Sequence, residues 1–170
     1  EEIGTIKYHL AKFFETYEGR IIFHNANFDV KIIINDLFMD TLLDQTGMLE
    51  GIELFQNKTD DTKLVTYLAT NSTAGNNLKL KDLAHEFAGD YAVDVDDITS
   101  IPETELLEYN LKDCLCTNFV WDTYYPQMVE DNQETIYKHL FLPLFHSSTN
   151  RCQNNGSPPR RLPLLPFWIG

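Results

Sequence analysis

The sequence predicts an α/β fold, because a short apolar run is flanked by segments whose apolar residues recur at helical spacing. Ile21-Ile22-Phe23 is a run of the kind found in buried strands. The segments on both sides repeat apolar residues every three or four positions, as one face of a helix does. With 170 residues and 43% hydrophobic composition, the chain can form a domain with a substantial core.

Three helices and two strands are predicted in the first half of the chain. Six apolar residues share one face of the first helix: Ile3, Ile6, Leu10, Phe13, Phe14 and Tyr17. This helix ends at Gly19, and the first strand follows over residues 20–24. A second helix is predicted over roughly 28–43 and a second strand over Ile52–Phe55. Asp61-Thr62 then has the character of an N-cap for a third helix, over about 63–69.

Two loops are predicted in the middle of the chain. Residues 70–77 are rich in Asn, Ser, Thr and Gly, which favour turns over regular structure. Residues 90–99 contain four Asp and are predicted as an acidic loop. A short amphipathic helix lies between the two loops, over residues 80–87, and is closed by Gly89.

The last third of the chain is predicted to begin with a long helix. Ser100-Ile101-Pro102-Glu103 has the spacing of a capping box, and the helix is expected to stop near Tyr125 because of Pro126. One more helical stretch covers residues 130–141. From residue 147 the composition becomes polar and Pro-rich, which predicts a linker or a disordered end.

The net charge of −13 disfavours a broad basic surface for nucleic acid. Two explanations of the acidity are open: a solvated surface, or a carboxylate cluster that binds metal ions. Because a metal site needs only a few acids, most of the 26 acidic residues must lie on the surface. The net charge is compatible with an enzyme that binds phosphate groups through divalent cations.

The three cysteines, which include Cys114 and Cys116, do not have the spacing of metal ligands. We predict that they are small core residues in a reduced intracellular compartment. No apolar stretch approaches about 20 residues, so no membrane-spanning helix is predicted. The chain starts at Glu1 rather than Met, which predicts a fragment of a longer protein.

The segment His24-Asn25-Ala26-Asn27-Phe28-Asp29 directly follows the apolar run, at a predicted strand-to-helix turn. Loops on a rigid scaffold often carry chemistry. Two interpretations are open here. Either Asn27 or Asp29 caps the helix that follows, or Asp29 is a metal ligand.

A stripe on the predicted long helix combines polar and apolar residues: Leu106, Tyr109, Asp113, Cys116 and Val120. A carboxylate on an apolar stripe is costly unless it is paired or binds a metal. Asp113 is therefore a candidate metal ligand, with Tyr109 one helical turn before it. The alternative is a core Tyr and an exposed Asp at the edge of the stripe.

Together these two segments resemble the DEDD superfamily of 3′–5′ exonucleases. The His24–Asp29 segment is similar to the second motif, Asn-x-x-Phe/Tyr-Asp, and Tyr109–Asp113 is similar to the third motif of the tyrosine-bearing subclass, Tyr-x3-Asp. Between them, Asp61-Thr62 and residues 77–84 are similar to the connecting region of proofreading domains in family A DNA polymerases, and the resemblance points to a polymerase of the phage type. Leu142-Pro143-Leu144 resembles the approach to the polymerase domain.

The resemblance implies a ribonuclease H-like mixed sheet flanked by helices, in an exonuclease domain over residues 1–126. It also implies a helical approach to a polymerase domain over 127–146 and a linker or disordered tail over 147–170. The first motif of the superfamily, Asp-x-Glu on the first strand, is absent from the 170 residues. The chain therefore resembles a domain that lacks its first strands, and we expect it to be inactive in isolation.

The implied reaction is hydrolysis of phosphodiester bonds at the 3′ end of single-stranded DNA, with two Mg²⁺ or Mn²⁺ ions as cofactors. Asp29, Tyr109 and Asp113 are the implied catalytic residues. Asp29 and Asp113 are also the implied metal ligands, and Tyr109 would orient the attacking water.

The resemblance also implies that Asn25 and Phe28 contact the substrate. An alternative for Phe28 is that its ring packs in the core. An alternative for His24 is that its ring packs at the end of the strand. An RNA-trimming exonuclease of the same superfamily and a catalytically silent domain that supports a covalently linked polymerase are alternative functions. The implied setting is the cytoplasm of a bacterium or of a phage-infected host.

Overall fold

The structure is a computed structural model that describes residues 2–70, 77–90 and 101–142. Within these ranges the chain is mostly helical with one two-stranded parallel sheet, which confirms the α/β class. Most of the loop predicted at 70–77, the acidic loop at 90–99 and the tail from 147 lie outside the described residues. None of the helices in the described ranges combines the length and the apolar character that a membrane crossing requires.

The first half of the chain alternates helices with two short strands: α1 (Glu2–Thr16), β1 (Ile21–Phe23), α2 (Ala26–Leu37), α3 (Gln45–Gln56) and β2 (Thr59–Asp61). The prediction of β1 is confirmed, whereas the strand predicted over Ile52–Phe55 is wrong. Met48, Ile52 and Phe55 are four and three residues apart and all contact the core, so they occupy one face of α3.

The second strand, β2, was not predicted from the sequence. It pairs in parallel with β1, in a register that places Thr59 beside Ile21 and Asp61 beside Phe23. All three residues of β2 are buried. Because Asp is depleted in strands, the pattern Thr-Asp-Asp is more typical of a polar turn. The burial of β2 therefore depends on hydrogen-bond partners for the carboxylates of Asp60 and Asp61.

The sheet and the first three helices enclose the main core, whose buried members are Phe14, Phe23, Ala26, Val30, Ile33, Ile34, Ile52 and Phe55. The first helix contributes one buried residue, Phe14, and Ile3 and Ile6 are exposed although their spacing is helical. The second and third helices approach closely. A Cβ atom at Gly47 would lie 1.8 Å from the carbonyl oxygen of Phe38.

The second half of the described chain is helical: α4 (Thr62–Ala69), α5 (Leu80–Leu83), α6 (His85–Ala88), α7 (Glu103–Glu130), α8 (Glu134–Ile136) and a π-helical turn (Tyr137–Phe141). Helix α4 packs mainly against α7. The short amphipathic helix predicted over 80–87 is divided at Ala84 into α5 and α6, and Gly89 ends it with φ +61°. Of the cysteines, Cys116 is buried as predicted and Cys114 is exposed, which the prediction missed.

Pro126 lies inside α7 and does not end it, so the predicted stop near Tyr125 is wrong. A proline removes the hydrogen bond to the carbonyl four residues earlier, here that of Asp122. Both Asp122 and Pro126 are exposed, so water can satisfy this carbonyl, while the buried Met128 anchors the last turn. The domain boundary predicted at residue 126 therefore falls within a continuous helix.

Candidate functional site

The strand-to-helix turn after β1 is held by a residue from β2. Asn25 is exposed and adopts the left-handed conformation, with φ 70° and ψ 49°, which Asn tolerates better than most residues. Its side chain makes no capping hydrogen bond. Instead, the backbone N–H groups of Asn25 and Ala26 donate to the carboxylate of Asp61, over 3.1 and 3.0 Å. The expectation that Asn27 or Asp29 caps α2 is therefore wrong.

Asp29 lies in the first turn of α2 and is 2% exposed. Neither of its carboxylate oxygens receives a hydrogen bond from another residue. Burial raises the pKa of Asp29 from 3.8 to about 7, and the negative charge of Asp61 adds to this rise, while the backbone amide of Asp29 itself opposes it. A buried carboxyl without donors is an expensive group, which makes Asp29 a candidate for a functional role.

Asp61 is the acidic neighbour of Asp29, and its surroundings are different. Besides capping α2, it accepts a hydrogen bond of 2.9 Å from the N–H of Lys63 and so also caps α4, as the sequence predicted. Burial raises the pKa of Asp61, and the backbone N–H groups that it accepts from oppose this rise. One carboxylate thus accepts from N–H groups at the starts of two helices.

Tyr109 and Asp113 lie one turn apart on α7, which contacts β1. Asp113 is 3% exposed, so the alternative of an exposed Asp at the edge of the stripe is wrong. Its backbone carbonyl accepts a hydrogen bond of 2.9 Å from the hydroxyl of Thr117. Tyr109 is partly buried, and the ammonium of Lys81 lies 5.6 Å from the centre of its ring. This is a distance at which a cation–π interaction operates.

The remaining predicted site residues, His24 and Phe28, differ in exposure. Phe28 is 50% exposed, so the expectation of core packing is wrong. His24 is buried: Nε2 lies 2.9 Å from the carbonyl oxygen of Leu78, and Nδ1 lies 2.8 Å from the hydroxyl of Thr62. Because a carbonyl only accepts, Nε2 carries the proton. Burial lowers the pKa of His24 to about 4, which keeps the ring neutral and supports packing at the strand end.

The predicted metal ligands, Asp29 and Asp113, come from the start of α2 and the middle of α7. Among the residues that the structure describes, no three His, Cys, Asp or Glu side chains converge into a group that could hold a metal ion. Comparison of the chain with protein-family models, curated proteins and solved structures finds no match. The interpretation of the site therefore rests on its own residues.

Sequence patterns missed a partly buried network beside the candidate site. The guanidinium of Arg20 binds the carboxylate of Asp60 through Nε and, over 2.7 Å, through Nη2. The Tyr137 hydroxyl donates to Oδ1 of the same carboxylate, over 2.9 Å. Burial raises the pKa of Tyr137, and the charge of Asp60 raises it further. The available signal in the sequence was the pair Asp60-Asp61 between two apolar segments, since buried acids require partners.

Proposed function

We propose that this chain is part of a metal-dependent 3′–5′ exonuclease domain, of ribonuclease H-like fold, in a family A DNA polymerase of the phage type. The domain hydrolyses phosphodiester bonds at DNA 3′ ends. The observation that carries this proposal is the carboxyl group of Asp29, which is buried at a strand-to-helix turn and receives no hydrogen bond from another residue. Perturbed acids of this kind concentrate at functional sites.

The donor chemistry of the site fits Mg²⁺ or Mn²⁺ in part. Carboxylate oxygens are the ligands that these hard cations prefer, and both oxygens of Asp29 are available as ligands. Asp113, buried on α7, is the second candidate ligand. The resemblance implies four carboxylates, and the two of the first motif are absent from the 170 residues. When bound, the ions would activate water and stabilise the charge on the phosphate oxygens.

The chain's own residues would bind and orient the reactants. Tyr109 precedes Asp113 by one helical turn, so its hydroxyl can be directed at the water that attacks the phosphate. A phenol is a weak base at neutral pH, which favours orientation of the water over proton abstraction. The exposed ring of Phe28 offers a face on which the terminal base can stack, and the exposed Asn25 lies three residues away.

The test is a nuclease assay of the full-length gene product that contains these residues, with a 5′-labelled single-stranded DNA and Mg²⁺. Asp113→Ala should lower the rate by more than about 100-fold, because loss of an outer-shell partner alone costs 10–100-fold. Asp122→Ala removes an exposed carboxylate from the same helix and is the matched control, with an expected rate within about twofold of wild type. A wild-type rate in Asp113→Ala would contradict the assignment.

The same assay separates the alternatives. Faster degradation of an RNA of identical sequence supports an RNA-trimming exonuclease, and no degradation of either substrate supports a silent domain. The sequence encoded upstream of Glu1 gives an independent test: an Asp-x-Glu on an apolar strand supports the proposal, and its absence contradicts it. The isolated 170-residue chain is expected to be inactive.

A further inference from the structure

The start of α2 is fixed by residues far away in the sequence. The first N–H groups of a helix have no partner within the helix, and the N-cap residue usually supplies one. Here the N-cap, Asn25, makes no such bond, and the two oxygens of Asp61 accept from Asn25 and Ala26. The position and direction of α2 therefore depend on where the carboxylate of Asp61 lies.

Asp61 is in turn held by Tyr137, on the π-helical turn. The Asp61 N–H donates to the Tyr137 hydroxyl over 3.0 Å, and this hydroxyl donates to Asp60 over 2.9 Å. The phenol thus uses its oxygen as acceptor and its proton as donor between consecutive residues of β2. Tyr137 is 1% exposed, so water does not compete for either bond. Arg20 also binds the carboxylate of Asp60.

Asp29 depends on this arrangement more than a typical site residue does. Active-site side chains are normally oriented by hydrogen bonds from neighbouring groups. No other residue donates a hydrogen bond to the Asp29 carboxylate, so its placement comes from the backbone of α2 and from packing. A shift at the start of α2 is carried directly to the carboxylate.

We infer that Asp61 and Tyr137 are positioning residues for Asp29, and this inference rests on the proposed nuclease function. Tyr137 sets the backbone of Asp61, Asp61 caps α2, and α2 places Asp29. The π-helical turn, which lies in the segment assigned to the approach to a polymerase domain, is thereby part of the nuclease site. A misplacement of about 1 Å at a reacting group can cost about 100-fold in rate.

The first experiment measures amide hydrogen exchange in the full-length gene product and needs no activity. In Tyr137→Phe, the amides of Asn25 and Ala26 should exchange at least about tenfold faster than in wild type. Tyr125→Phe is the matched control, because it also removes a hydroxyl that donates to a carboxylate, that of Glu134 over 2.7 Å. It should leave the exchange of both amides unchanged.

The amide of Gly47, which donates to Asp44 at the start of α3, is the internal reference. Acceleration at Asn25 and Ala26 without acceleration at Gly47 supports the inference. Equal acceleration at all three amides reports a general loss of stability and overturns it. Exchange at Asn25 and Ala26 that matches the Tyr125→Phe control also overturns it.

The second experiment measures nuclease kinetics of the full-length gene product. Tyr137→Phe should lower kcat by about 5- to 20-fold and change KM by less than about twofold, because substrate contacts are retained. Asp61→Asn keeps one acceptor oxygen and is the second variant, with a loss of kcat in the same direction. Full activity in both variants, with Asp29→Ala inactive, overturns the inference and leaves the proposed function intact. Full activity in Asp29→Ala refutes the proposed function, and the inference with it.

Discussion

Replacement of Asp29 by Asn tests whether this carboxyl group is held in an unfavourable environment. Its pKa rises from 3.8 to about 7 on folding because the group is buried without donors. Between these two values the folded state holds a proton that the unfolded state has lost, so the stability contributed by this group falls as pH rises. The linkage relation gives a loss of about 2 kcal/mol by pH 5 and about 4 kcal/mol by pH 8, relative to strongly acidic solution.

The amide of the Asp29→Asn variant does not titrate. Its burial without a partner costs about 1–3 kcal/mol, and this cost is the same at both pH values. The stability of the variant relative to wild type, measured as the difference in unfolding free energy, should therefore be about 2–3 kcal/mol higher at pH 8 than at pH 5. Urea unfolding followed by circular dichroism measures both values on the 170-residue chain.

Asp122→Asn is the control, because Asp122 is an exposed carboxylate. Its effect on the free energy of unfolding should differ by less than about 0.5 kcal/mol between the two pH values. If Asp29→Asn behaves like this control, the carboxyl group of Asp29 is solvated or paired, and the argument for its functional role is refuted.

Two further predictions concern other parts of the fold. The pKa of His24 falls from 6.5 to about 4 on folding, so its contribution to stability is lost as pH falls through this interval, by about 2 kcal/mol at pH 5 relative to pH 8. His24→Gln should abolish this loss in urea unfolding at the two pH values, and an unchanged pH dependence would contradict the buried neutral ring. Gly47→Ala should lower the unfolding free energy by more than about 2 kcal/mol, because its Cβ meets a backbone oxygen. Gly4→Ala, with no atom within 4 Å of the new Cβ, should stabilise by up to about 1 kcal/mol, and equal effects of the two variants would refute the packing argument.

The parts of the fold that sequence patterns predicted are those determined by neighbours within four positions of one another. The apolar run of β1 and the stripe of α7 that carries Asp113 are both of this kind. Predictions from local spacing were wrong where two sequence patterns pointed to different structures. The β-branched and aromatic content of Ile52–Phe55 suggested a strand, whereas Met48 extends the same residues into a helical face. Pro126 suggested a helix end that an exposed proline does not enforce.

The parts of the site that could not be predicted depend on contacts between distant residues. The burial of Asp113 was one of the two interpretations that its place on an apolar stripe left open. The cap of α2, in contrast, comes from Asp61, 36 residues after Asn25, and no pattern within one helix can indicate it. Strand β2 is similar, because the carboxylate of Asp60 is acceptable in the interior through Arg20 and Tyr137. Neither Arg20 nor Tyr137 has a feature in its own segment that would indicate these contacts.

The bond between Asp61 and Tyr137 has a consequence for the synthesis of the protein on the ribosome. Tyr137 follows Asp61 by 76 residues, so at a translation rate of roughly 5–20 residues per second its codon is reached about 4–15 s later. During this interval β1, β2 and the first helices can associate, yet the N–H of Asp61 lacks its native acceptor. The final arrangement around β2 therefore forms only after α7 has been completed, which makes the nascent chain dependent on the π-helical turn that carries Tyr137.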